Sequence, residues 1–175
     1  MAHPRILHMI TPLKHMSPFD VNMALDAGYD AVLSYTNVTL EEVGALVQDA
    51  IFSRPPKTGV RTGMFVGGKN AILALDMLAA ARKALVPPFG ISFFADPAGS
   101  FTTAAAMVAC VEKTLVDKKK RNLTGLKTAV FGATGVVGFS AAVIAALEGA
   151  DVTLVGYDGL KWVSDAAKEI KARFE

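Results

Sequence analysis

The chain has 175 residues, enough for one compact domain or for a small domain with part of another. At 52% hydrophobic and 19% charged it can fill a core, which excludes a disordered chain. A net charge of +2 is too small to argue for a nucleic-acid partner, and none is expected. The one basic cluster, Lys118-Lys119-Lys120-Arg121, reads as a solvated turn. Cys110 is the only cysteine, so an internal disulfide is excluded; it sits in the small-residue stretch Ala104–Val111, which reads as a buried helix face. Met1–Ile10 has Arg5 and two histidines within its apolar stretch and no clear cleavage site, so no signal peptide is expected. Ala71–Leu85 is interrupted by Asp76, Arg82 and Lys83, and no apolar run reaches bilayer length. The expectation is a cytoplasmic chain with no membrane partner and no metal site.

Ile6–Ile10 predicts a first strand. Ser17-Pro18-Phe19-Asp20 opens a helix, with Ser17 as N-cap and Pro18 in the first turn, where its missing N–H costs nothing. Val21–Ala27 continues that helix and Gly28 caps its C-terminus. Ala31–Tyr35 is a second strand. Thr39-Leu-Glu-Glu42 has the spacing of a capping box and starts a helix running to about Phe52. Arg54-Pro55-Pro56-Lys57 reads as a loop. Thr62–Val66 is a third strand, ended by Gly67-Gly68, where backbone approaches a ligand or simply turns tightly. Ala71–Leu85 is a helix stopped by Pro87-Pro88, and Ile91–Phe94 is a fourth strand. Strand and helix thus alternate four times, which predicts a mostly parallel α/β sheet with helices on its faces. After Asp96–Ser100 and Phe101–Ala104 a helix runs to about Val116. The polar stretch Lys118–Gly125 marks the expected boundary, with one lobe at 1–120 and another at 121–175.

The second lobe carries the strongest signal. Strand Lys127–Phe131 leads into Gly132-Ala133-Thr134-Gly135-Val136-Val137-Gly138, an Ala-rich helix follows over Phe139–Glu148, and Asp151–Val155 is the next strand. A pyrophosphate needs N–H donors, and a helix N-terminus supplies them with the positive end of its dipole. Glycine in the turn lets backbone close on the phosphates, and the last glycine lets the helix pack on the strand. This predicts a Rossmann-type lobe binding NAD or NADP. The end of the second strand, Gly156-Tyr157-Asp158, meets the adenosine ribose. Asp158 would repel a 2′-phosphate, so NAD is favoured slightly, with Lys161 close by in sequence.

The chain resembles the NAD(P)-dependent methylene-tetrahydromethanopterin dehydrogenases of methylotrophic bacteria over essentially its whole length. The marks are Phe19-Asp20-Val21, Tyr35-Thr36-Asn37-Val38-Thr39, Phe65-Val66-Gly67-Gly68, Asp96–Ala106 and the turn Gly132–Gly138. The resemblance implies an N-terminal pterin lobe before the Rossmann-type lobe. It also implies a homo-oligomer, and hydride transfer from the methylene carbon to the nicotinamide, giving the methenyl cation in one-carbon metabolism. A related activity on methylene-tetrahydrofolate is implied as well. Because the substrate's two nitrogens stabilise that cation, no acid or base is required, and His3, His8 and His15 are expected to be non-catalytic.

The implied substrate residues are Ser17, Phe19, Asp20, Asp96, Ser100, Thr102 and Thr103. Ser100, Thr102 and Thr103 precede a helix and either face the ligand or cap that helix; Thr103 is the expected positioning group. Phe19 either stacks on the pterin or fills the core, with the core favoured. Asp20 and Asp96 hydrogen-bond pterin nitrogens or cap helices. The chain departs from the family in having Tyr157-Asp158 where a basic residue is usual. It also shows two strands where a mononucleotide-binding half has three, so the Rossmann-type lobe is expected to be incomplete and the chain a fragment. Two alternatives stand beside this reading. One is a folate- or shikimate-type dehydrogenase with Lys14 or Lys69 as acid–base group. The other is a non-catalytic pterin-binding paralogue.

Overall fold

The computed structural model describes residues 3–157 and 159–174. The chain forms two compact units, Met1–Ala98 and Gly99–Glu175.

The first unit has four strands: β1 (Ile6–Ile10), β2 (Ala31–Tyr35), β3 (Thr62–Val66) and β4 (Ser92–Ala95). Its helices are α1 (Pro18–Asp26), α2 (Val43–Phe52), α3 (Pro56–Gly59) and α4 (Ala71–Lys83). The strands are parallel in the order β2-β1-β3-β4. Ile6 of β1 lies opposite Ala31 on one side and Thr62 on the other. Successive side chains alternate between faces. Leu7, Met9 and Phe65 pack with Ala24 of α1 on one face. His8, Ile10 and Met64 meet Leu46 and Ala50 of α2 on the other. With both faces covered, β3 is buried at all five positions and reads as an unbroken run rather than an alternation.

Local chemistry sets the element ends. Ser17 is extended, and its Oγ accepts the Asp20 N–H at 3.4 Å, with Pro18 opening α1. The Thr39–Glu42 box forms only by half. The Glu42 carboxylate accepts the Thr39 N–H at 2.8 Å, but the Glu42 N–H goes to the Thr39 carbonyl, so a turn precedes a helix that starts at Val43. The expected loop at Arg54–Lys57 instead contains the one-turn α3, opened by Pro56. The cap of α4 is Asn70, whose Oδ1 accepts the Leu73 N–H at 3.1 Å. Replacing Asn70 by alanine is expected to cost about 1 kcal/mol, read as a lowered urea midpoint with unchanged slope.

The second unit contains α5 (Ser100–Lys119), β5 (Lys127–Phe131), α6 (Val136–Leu147), β6 (Asp151–Val155) and α7 (Leu160–Phe174). β5 and β6 are parallel, with Lys127 opposite Asp151. Ala104 and Val108 of α5 pack with Leu123 and with Ala141 of α6. This packing corrects two expectations. The boundary anticipated at 120/121 falls at Ala98/Gly99, because α5 shares its core with α6. Cys110 is exposed rather than packed, because it lies off the stripe through Ser100, Ala104 and Val108 that α5 buries. Lys118 and Lys119 form the last helical turn, where cations suit the dipole, and Lys120 caps it with φ 54°. Among the described residues, no helix is long and apolar enough to cross a membrane.

Candidate functional site

In the first unit, the chain leaves β1 towards β2 on one side and then returns to place β3 on the other. Such a reversal opens a crevice at the carboxyl ends of the two central strands. Its walls are the loops after β1 and β3, and there the structure has a pocket of about 510 Å³. Lys14, His15, Ser17 and Asp20 line it from the β1 side, with Gly68 and Lys69 facing them. The β1 loop is pinned from within. The buried Thr11 accepts the Leu13 N–H on its hydroxyl at 3.3 Å and the Val38 N–H on its carbonyl at 3.0 Å, while the Leu13 carbonyl accepts from Asn37. A pocket wall held this way is preformed.

Asp20 is the acid that lines the pocket. Burial, and then the charge of Asp96, hold its carboxyl above the ordinary carboxylate range, against a hydrogen bond from Ser17. Asp96 is itself buried, just beyond β4, with its N–H donated to the Val66 carbonyl at 3.2 Å. The backbone of Gly67 runs directly beneath: a Cβ there would sit 3.2 Å from the Phe65 ring and 3.8 Å from the Asp20 Oδ2. Gly68 has φ +134°, which favours glycine. The Asp20 carboxylate, facing a cavity with a second acid buried close enough to act on it, suits a ligand rich in N–H donors.

The expected substrate residues separate. Ser17 and Asp20 share the pocket, and Asp96 acts on Asp20 through its charge. Phe19 is 67% exposed, which overturns the expectation that it fills the core. Ser100, Thr102 and Thr103 belong to the second unit and lie within the first turn of α5 rather than before it. Gly99 is the cap residue, and the Thr102 hydroxyl donates to its carbonyl at 3.4 Å. Thr102 and Thr103 are exposed, while Ser100 is fully buried with no hydrogen-bond partner for its Oγ. Lys14, His15 and Lys69 were not anticipated in one pocket, although the strand-order rule points to the loops that carry them. His8 lies in a separate cavity, 3.0 Å from the Tyr35 hydroxyl; burial and then Arg54 hold it below its ordinary value. No group of three or more potential metal ligands occurs among the described residues.

The second unit presents the strand–turn–helix. Gly132 has φ +69° and Gly135 is the cap residue of α6. At Gly138, a Cβ would lie 2.2 Å from the Gly132 carbonyl oxygen and 3.1 Å from the Ala133 Cα. The helix therefore starts pressed against its own turn, and only glycine allows it. The N–H groups of Val136, Val137 and Gly138 open the helix, where no acceptor exists four residues earlier within it. Ala133 differs from the expectation of a phosphate donor: it is fully buried, and its N–H goes to the Val155 carbonyl at 3.1 Å. A Cβ at Gly156 would meet Val163 at 2.8 Å and the Thr134 methyl at 3.0 Å. Tyr157 is 90% exposed. Asp158, on which the preference for NAD rests, lies outside the described residues. The donor set, and the close approach of helix to turn that Gly138 permits, fit a diphosphate.

Residues 18–98 match the family described as methylene-tetrahydromethanopterin dehydrogenase, N-terminal. The chain is 60% identical over 169 residues to the NAD(P)-dependent methylenetetrahydromethanopterin dehydrogenase of Methylorubrum extorquens, covering 97% of this chain and 57% of the relative. It is 38% identical over 159 residues to the bifunctional protein MdtA of the same organism, covering 91% of this chain and 54% of that relative. The chain thus spans a little over half the length of these relatives. The dehydrogenase family match covers most of the first unit, including Asp20, Gly68 and Lys69, and ends at Ala98, where the second unit begins.

Proposed function

We propose that the chain serves an NAD(P)-dependent methylene-tetrahydromethanopterin dehydrogenase, with the pterin one-carbon carrier held by the first unit and the dinucleotide by the second. The redox reading is carried by one observation, the Gly138 approach to the Gly132 carbonyl, which presses three helix-opening N–H groups close to a glycine-rich turn. The name of the 60% identical relative supports the substrate. The second unit is read as Rossmann-type.

Bound NAD or NADP supplies the hydride acceptor. Hydride transfer to it would oxidise the pterin by two electrons and reduce the nicotinamide by two, and would require no acid or base from the chain. The chain's residues then have to bind, orient and exclude water. Asp20, with Asp96 behind it, accepts from ring N–H groups, and Ser17 fixes Asp20. Gly132–Gly138 holds the diphosphate, and Asp158 disfavours a 2′-phosphate, giving NAD a modest advantage over NADP. Methylene-tetrahydrofolate is a second substrate on this reading, and the assembly is a homo-oligomer.

The test is to titrate the polypeptide with NADH and NADPH, and then to supply methylene-tetrahydromethanopterin with each oxidised dinucleotide. Binding of a dinucleotide and growth of reduced-nicotinamide absorbance are expected. Pterin binding without reduction would move the reading to a carrier, and failure to hold either dinucleotide would end the redox assignment.

A further inference from the structure

The Asp20 pocket carries groups of both signs. Asp20 lines it, with the buried Asp96 acting on Asp20 by its charge, while Lys14 and His15 line it from the loop after β1 and Lys69 from the loop after β3. Lys14 sits in the β1–α1 loop and Lys69 directly before the cap residue of α4. Among the described residues neither lysine makes an ion pair or a hydrogen bond. Nor does either offset the raised Asp20 carboxyl, whose shift comes from burial and from Asp96. The cations are therefore not used to neutralise the acids. They are exposed, unlike Asp96, which is buried.

Pterin one-carbon carriers offer partners to both kinds of group. The ring end offers N–H donors, and the far end carries acid groups: carboxylates in folates, carboxylates and a phosphodiester in methanopterins. A ring held at Asp20 leaves the tail for the unpaired lysines that line the same pocket. We propose that Lys14 and Lys69, with His15, form a subsite for the anionic tail of the carrier, so that this pocket selects its substrate by tail charge as well as by ring. The inference rests on the pterin reading above. A flexible ammonium recognises either acid group as a point charge, without the fixed fork an arginine would impose. The subsite therefore accepts either tail and discriminates against a pterin that has none.

The test is calorimetric binding of reduced pterins without dinucleotide, comparing the natural chain with a Lys14→Ala/Lys69→Ala variant whose thermal midpoint is checked. Three ligands are used: tetrahydromethanopterin, tetrahydrofolate and tail-free 6-methyltetrahydropterin. The variant is expected to lose about tenfold or more in affinity for both tailed ligands and to keep its affinity for the tail-free one. Raising the salt concentration should weaken only the tailed ligands, and only in the natural chain. A loss confined to tetrahydromethanopterin assigns the subsite to the phosphodiester; an equal loss with tetrahydrofolate assigns it to the carboxylates. Equal affinity of chain and variant for tailed ligands, or an equal loss for all three, overturns the tail subsite while leaving the pterin pocket standing. If the natural chain holds none of the three, the pterin reading fails and takes the subsite with it.

Discussion

Replacing Gly138 by alanine is expected to abolish dinucleotide binding and to destabilise the second unit while the first stays folded. The new methyl would lie 2.2 Å from the Gly132 carbonyl oxygen, 2.7 Å from its carbon and 3.1 Å from the Ala133 Cα. All three are backbone atoms, so no side chain can swing aside. The helix must lift from the turn, and the N–H groups that open it go with it. Overpacking of this kind costs about 1–3 kcal/mol, and misaligned donors add a loss in affinity of more than about tenfold. Gly135→Ala is the internal control, since its Cβ meets only the Gly132 carbonyl at 3.3 Å and its φ is −81°. Fluorescence titration with NADH and NADPH, beside a thermal melt, separates the two variants. If Gly138→Ala binds as the natural chain does, the turn is not a phosphate cradle.

Exchanging Asp20 for asparagine should weaken pterin binding and, near neutral pH, raise stability. The folded carboxyl is held above its ordinary value, by burial first and the Asp96 charge second. Between the ordinary and the raised value the native state therefore binds more protons than the unfolded chain. Stability falls as pH rises through that window, and above it the penalty is fully present. Below both values it is absent. The asparagine side chain carries no charge, so the Asp20→Asn variant should melt higher than the natural chain above the window and lose that advantage below it. Its pterin affinity should drop about ten- to a hundredfold, as expected for a charge-assisted hydrogen bond replaced by a neutral one. A melting difference independent of pH would show that Asp20 is not strained by its neighbours. Unchanged pterin affinity would remove it from the site.

Regular elements were legible wherever periodicity and punctuation agreed. The ranges Ile6–Ile10, Ala31–Tyr35, Thr62–Val66, Lys127–Phe131 and Asp151–Val155 are strands as anticipated, because each is a short apolar run bounded by turn residues. Where two local preferences competed, one lost. Thr39 has the residues of a capping box, yet its carbonyl, not its hydroxyl, takes the Glu42 N–H, and the helix begins later. The unit boundary was hidden because a polar stretch marks a surface turn as readily as a domain limit, and only the packing of Val108 with Ala141 shows which unit owns α5. For the candidate site, Asp20 and the glycine turn could be read from one segment each. The pocket could not, since Lys14 and Lys69 are 55 residues apart in sequence and meet only because β1 and β3 are neighbours.

The bond from the Ala133 N–H to the Val155 carbonyl has a mechanical consequence. It ties the loop after β5 to the end of β6, and the Thr134 methyl against Gly156 closes the remaining gap. The two loops behave as one rigid jaw rather than as independent fingers. A bulky residue at 156 would be felt at the turn after β5, and loosening 133 would be felt at the end of β6, so substitutions at the two places will not add.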